Sequence, residues 1–114
     1  MKIIERAVQA WAVLAWAAHN GQTMTYKQLE QVTGMPAAGL GRVLDPIEIY
    51  CVAKNLPPLT AIVVQKDTGL PGSGFTAAKP VELATEWTRV FEYDWLKHGN
   101  PQVEGLENKT DPTR

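Results

Sequence analysis

One thiol and two imidazoles are the side chains of this 114-residue chain best suited to covalent or metal chemistry. Cys51 lies on the inner side of a predicted helix, which favours a packing role over that of an acceptor nucleophile. His19 and His98 are far apart in the sequence, and neither has a Cys or carboxylate at metal-ligand spacing. Both histidines fall at predicted helix ends, where contact with the helix dipole explains them. We therefore predict no enzyme, no metal site and no cofactor.

The stretch from Gly69 to Gly74 is rich in glycine and is the next candidate, as a phosphate-binding loop. It does not open a helix after a buried strand, and it lacks the Gly-Lys-Ser/Thr ending of such loops. We interpret Gly69 as the end of a turn over residues 66–69, and residues 70–75 as the irregular second strand of a hairpin.

Composition and charge limit the class of protein. The chain has a length and an apolar fraction ordinary for one soluble domain. It has no membrane-length apolar run, no signal-peptide pattern and one cysteine, so we expect a cytoplasmic protein without a membrane partner. Residues 1–79 carry seven Lys/Arg against five Asp/Glu, and residues 80–114 carry four against seven. A polyanion would meet the first part, through few phosphate contacts.

The first element that must position any site is a helix over residues 3–19. An apolar stripe recurs at helical spacing, and Asn20-Gly21 provides a stop. The stripe consists of Ile4, Val8, Trp11, Ala15 and Ala18. Trp16 lies off this stripe. We expect it to pack beneath a later element, the alternative being an exposed partner contact.

Two short helices around a tight turn come next. Thr25 and Gln28 form a capping box that starts a helix over residues 26–32. Gly34 lies in the turn 33–35, and Pro36 suits the first position of a helix over residues 36–44. That helix is nearly bare outside, because Ala37, Ala38, Gly39 and Gly41 are small and Arg42 is its one long polar side chain.

In the rest of the chain we predict one more helix, then a hairpin and a last helix. Asp45-Pro46 restarts a helix over residues 46–55, and residues 59–75 form a β-hairpin whose second strand is an edge. Residues 80–98 form an acidic helix, and residues 100–114 a mobile tail. The predicted fold is mostly α with a small β-hairpin, a winged helix-turn-helix-like single domain over residues 1–99.

The residues from Gly21 to Phe75 resemble the DNA-binding domain of alkylguanine-DNA alkyltransferases and alkyltransferase-like proteins. The matching residues are Thr25-Tyr26, Gly34-x-Pro36-Ala37-Ala38, Gly41-x-Val43-Leu44, Pro46 and Leu56-Pro57. This resemblance implies a winged helix-turn-helix that enters the minor groove, with Tyr26 acting on the phosphate backbone near a flipped nucleotide. The family's Pro-Cys-His-Arg motif is absent, because the matching place reads Pro57-Pro58-Leu59-Thr60. We therefore expect DNA binding without alkyl transfer.

The predicted contacts to duplex DNA follow from position on these elements. Helix N-termini and lysines suit phosphates, whereas the bare helix would face the groove. The phosphate contacts are Tyr26, Lys27 and Gln28; the groove contacts are Met35, Ala37, Ala38 and Arg42; the hairpin contacts are Lys66 and Ser73. The alternative is a protein-interaction module of the same shape, typical of a small bacterial or phage regulator. It is suggested by the near-neutral charge, the acidic last helix and Trp16.

Overall fold

The computed structural model describes residues 2–72 and 74–107, and their side chains except that of Ala37. Within these residues the protein is mostly helical, with one pair of very short strands. The α-helices are α1 Ile3–His19, α2 Tyr26–Thr33, α3 Leu40–Ala53, α4 Leu83–Glu92, α5 Trp95–His98 and α6 Val103–Glu107. The strands are β1 Met24–Thr25 and β2 Val63–Val64, and 3₁₀ turns occupy Ala37–Gly39, Leu59–Ile62 and Pro80–Glu82. None of the described helices is long and apolar enough to cross a membrane.

Helix α1 is the centre of the core. Trp11, Ala15 and Ala18 of its predicted stripe are buried, whereas Ile4 and Val8 are partly buried. Trp11 and Leu14 are fully buried, and α1 packs against α2, α3, α4, α5 and α6. Its alanines let these neighbours approach closely, because four of them are 3 % exposed or less: Ala7, Ala10, Ala15 and Ala18. The helix ends at His19, and Gly21 takes the positive φ of +66° that reverses the chain.

The predicted capping box of α2 and the turn at Gly34 are confirmed. Thr25 Oγ1 accepts from the Gln28 amide at 3.1 Å, and Gln28 Oε1 accepts from the Thr25 amide at 2.9 Å. Gly34 ends α2 with φ +74°. The Arg6 guanidinium donates to the Thr33 carbonyl, so α1 holds the turn in place.

The predicted break at Asp45-Pro46 is wrong, because α3 runs through Pro46 without interruption. A proline inside a helix costs about 3 kcal/mol. Burying a large apolar side chain contributes roughly 1.5–3 kcal/mol, and α3 buries several on one continuous side: Leu40, Val43, Leu44, Ile47, Tyr50 and Cys51. Packing along the whole stripe therefore outweighs the lost hydrogen bond.

The predicted hairpin over 59–75 is also wrong in its pairing. Leu59–Ile62 is a 3₁₀ turn, and β2 pairs in parallel with β1, Met24 opposite Val63 and Thr25 opposite Val64. The described residues after Gln65 form no second strand. Instead the Gln65 amide donates to the Leu70 carbonyl and the Gly69 amide to the Gln65 carbonyl, both at 2.8 Å, which closes a tight turn.

The last predicted helix is divided, and part of the predicted tail is folded. Asp94 caps α5 by accepting from the Lys97 amide at 3.1 Å, and Trp95 Nε1 donates to the Val90 carbonyl at 2.7 Å. These bonds turn Trp95 into the core, where it is 1 % exposed. In α6, Leu106 is fully buried against α1 and α3, so residues 103–107 belong to the domain. Residues 108–114 of the predicted tail lie outside the described residues.

Candidate nucleic-acid interface

The small-residue surface predicted around residues 36–44 faces outward. Ala38, Gly41 and Arg42 are exposed. A Cβ built on Gly41 would meet no atom within 4 Å. No other part of the described chain covers these positions, so a ligand's backbone can approach α3 closely here.

The strand pairing brings two lysines to the same end of the small sheet. Thr25 and Val64 are partners in the parallel pair, so Lys27 and Lys66 both follow the carboxyl ends of neighbouring strands. Both side chains are exposed. Gln28 is exposed as well, and its Oε1 is engaged in the capping box, which leaves its amide NH₂ group to donate to a ligand.

Tyr26 has a different position from the one predicted. Its Oη accepts from the Gly72 amide at 3.0 Å, which ties α2 to the loop that follows β2. The ring is half-buried beside a cavity. The hydroxyl proton is still available to donate, so Tyr26 combines a positioning role with one free donor.

The remaining predicted contacts are not all brought to this surface. Met35 is half-buried against the core, and its Cε would lie 3.0 Å from a Cβ on Gly39, so it packs beneath the turn. The backbone of Ala37 lies in the 3₁₀ turn that precedes α3. Ser73 lies outside the described residues.

A cavity of about 370 Å³ lies between α3 and the loop after β2, directly beside Gly41. Its walls combine two aromatic rings with several polar side chains. They are Tyr26, Gly41, Leu44, Asp45, Glu48, Thr60, Gln65, Gly72, Gly74 and Phe75. This combination of apolar walls and a few convergent polar groups is typical of a ligand site.

Hydrogen bonds from two threonines hold the Glu48 carboxylate in place at this cavity. Thr60 Oγ1 donates to its Oε1 at 3.4 Å, and Thr76 Oγ1 donates to its Oε2 at 3.0 Å. Asp45 lies one turn earlier on α3, and the described residues that line the cavity include no Lys or Arg. The cavity therefore attracts hydrogen-bond donors and repels phosphate.

The sequence analysis missed Glu48 because it ended one helix at Leu44 and began another at Pro46. In the continuous α3, Gly41, Asp45 and Glu48 recur at helical spacing and share one side. A prediction of one continuous helix through Pro46 would have shown that these three residues share one side.

Cys51 is the one thiol of the chain and is buried. Burial raises the pKa of the Cys51 thiol to about 12, and neither histidine hydrogen-bonds to it. The structure, over the residues that it describes, has no group of three His, Cys, Asp or Glu side chains that could hold a metal ion. Comparisons of the chain with protein-family models, with curated proteins and with solved structures gave no match.

Proposed function

We propose that this chain binds duplex DNA, without enzymatic activity, through the outward surface formed by Ala38, Gly41 and Arg42. The observation that carries the proposal is the open space over Gly41. In a helix-turn-helix this is the helix presented to the groove, and small side chains let its backbone lie close to the DNA. The loop after β2 takes the place of a wing.

The charged side chains near this surface support the proposed orientation, in which α3 faces the DNA. Lys27, Arg42 and Lys66 are exposed and supply the phosphate contacts. The cavity beside Gly41 carries Asp45 and Glu48, so the DNA backbone lies outside it. Three cations imply weak binding with a shallow salt dependence, since each phosphate contact contributes about −0.9 to the slope of log K against log salt.

The test is fluorescence anisotropy of a labelled 20-base-pair duplex at several salt concentrations. Arg42→Ala should weaken binding and make the salt slope shallower by about one. Lys97→Ala is the matched control, because it removes one exposed positive charge from α5, away from this surface. Equal losses in both variants would indicate a non-specific charge effect and remove the assignment.

The second candidate is a protein-interaction module, and the surface around the start of α4 favours it. Val81 is 87 % exposed. It shares a shallow depression with Glu82 and with the ion pair between Arg89 and Glu86. An exposed apolar side chain beside charged groups of both signs suits a partner whose rim carries the complementary charges. A stable protein complex that survives nuclease and is lost in Val81→Lys, with duplex binding unchanged, would favour this function.

A further inference from the structure

Trp16 is the exception among the tryptophans of this chain. Trp11 and Trp95 are almost fully buried, whereas Trp16 on α1 is 59 % exposed. The expectation that Trp16 packs beneath a later element is therefore wrong. His19 stacks on it, with ring centroids 5.7 Å apart and planes inclined by 26°. The indole therefore has an aromatic neighbour on one side, while much of its surface meets solvent.

A groove of about 670 Å³ runs beside Trp16, between the end of α1 and α2. Its polar groups are neutral and can both donate and accept hydrogen bonds: Gln22, Thr23, Gln28 and Gln31. Val13 and Met24 supply apolar surface, and Val32 is 59 % exposed across the groove. None of the described residues that line the groove carries a charge.

We propose that this groove, which we call the Trp16 groove, stacks an unpaired nucleobase of the DNA bound at the neighbouring surface. The inference rests on the proposed function and makes it more specific. The preferred ligand is then a duplex with a single-stranded extension. Exposed aromatic rings are the usual platform for unpaired bases, because every base has a flat face to stack.

The proposed phosphate contact Lys27 and the groove residues Gln28, Gln31 and Val32 all lie on α2. Residues 27, 28, 31 and 32 are all exposed and lie on one side of that helix. Lys27 offers a cation to the phosphate at the α2 N-terminus, and Gln28 and Gln31 follow it along the groove. A strand whose backbone passes Lys27 can therefore place its next base against Trp16.

The neutral lining of the Trp16 groove favours entry of a base over entry of a phosphate. A phosphate would find no cation in the groove, whereas a base edge finds side-chain amides that match its donors and acceptors. A paired base has both faces covered by its neighbours in the stack. Only an unpaired base can use the exposed indole.

The experiment compares a blunt 20-base-pair duplex with the same duplex carrying a three-thymidine extension. Wild-type protein should bind the extended duplex about tenfold more tightly, and Trp16→Ala should remove this preference without changing the affinity for the blunt duplex. Arg42→Ala should weaken both ligands and keep their ratio. Leu96→Ala is the matched control, since it removes another exposed apolar side chain, on α5.

The outcomes separate the two proposals. Equal affinity of wild-type protein for both duplexes overturns the Trp16 groove alone, and so does a Trp16→Ala variant that weakens both ligands to the same extent. If neither duplex binds, while a thymidine octamer quenches the fluorescence of wild-type protein but not of Trp16→Ala, the groove is supported and the duplex function is overturned. A protein partner lost in Trp16→Ala, together with equal affinity for both duplexes, overturns the groove as a nucleic-acid site.

Discussion

The Tyr26 hydroxyl and the Gly72 backbone are in such close contact that each defines the other's position. Tyr26 Oη accepts from the Gly72 amide at 3.0 Å, and a Cβ at Gly72 would lie only 2.8 Å from the same oxygen. This contact fixes one wall of the cavity beside Gly41. It also joins α2 to the loop after β2, which Thr76 joins to α3 through Glu48.

The Tyr26–Gly72 contact predicts a non-additive pair of substitutions. Tyr26→Phe loses one hydrogen bond and should lower the free energy of unfolding by about 1 kcal/mol. Gly72→Ala creates a clash and should cost about 1–3 kcal/mol. In the double variant the nearest ring atom is Cζ at 3.4 Å, so the clash is relieved. Urea unfolding of the four proteins should give a double-variant cost smaller than the sum, and strict additivity would contradict this account.

Gly41→Ala should make the protein more stable and a poorer DNA binder. A methyl group at this helical position meets no atom within 4 Å. Replacing Gly by Ala in a helix is worth about 0.8–1 kcal/mol. The same methyl group would stand between α3 and the DNA.

The matched control for this prediction is Gly105→Ala in α6, where a Cβ would have only ordinary contacts of 3.8 and 3.9 Å. It should leave duplex affinity unchanged. If thermal unfolding shows stabilisation by Gly41→Ala and the anisotropy titration shows undiminished affinity, the surface over Gly41 is not the DNA contact.

Cys51 should contribute to a loss of stability at alkaline pH. Burial raises its pKa from 9.0 to about 12. Between these values the unfolded chain has lost the thiol proton and the folded chain keeps it, so stability falls as pH rises, by up to about 1.4 kcal/mol per unit. The pKa of Tyr50 is also raised by burial, above 10.0, which extends the fall to higher pH.

The measurement is urea unfolding of wild type and Cys51→Ala at pH 8 and pH 9.5. The wild type should lose more stability between these two values than the variant does, although the variant is less stable at both because its core is smaller. Parallel losses in the two proteins would assign the alkaline effect to other groups.

The same burial predicts an unreactive thiol. At pH 8 the folded protein should not react with a disulfide reagent such as DTNB, because the thiolate is the reacting species and is almost absent. In denaturant one thiol per chain should react. Prompt reaction in the native state would show that Cys51 is reachable and would revive the nucleophile interpretation.

Leu106 should be as important to stability as a residue of the central core. It is fully buried against α1 and α3, and Leu106→Ala should cost about 2–5 kcal/mol. Glu104→Ala, on the exposed side of α6, should change stability by less than about 0.5 kcal/mol. Similar unfolding midpoints for the two variants would show that α6 is not part of the cooperative unit.

The local features of this fold could be predicted from the sequence because they depend on neighbouring residues. The limits of α1, the Thr25–Gln28 capping box and the turn at Gly34 follow from periodicity, side-chain capping and the conformational freedom of glycine. The same information predicted that the outer side around Gly41 is nearly bare, with Arg42 as its one long polar side chain. For these features the relevant interactions lie within a few residues along the chain.

The choices that depend on distant residues were decided only by the tertiary structure. Val63 pairs with Met24 rather than with the residues that follow it, and α3 continues through Pro46 because its buried stripe has partners along its full length. Leu106 becomes core because α1 and α3 provide a surface for it, and Trp16 stays exposed because none of the later elements that the structure describes covers it. Each outcome depends on the gain from burying apolar surface against a partner distant in sequence, which the order of residues alone does not specify.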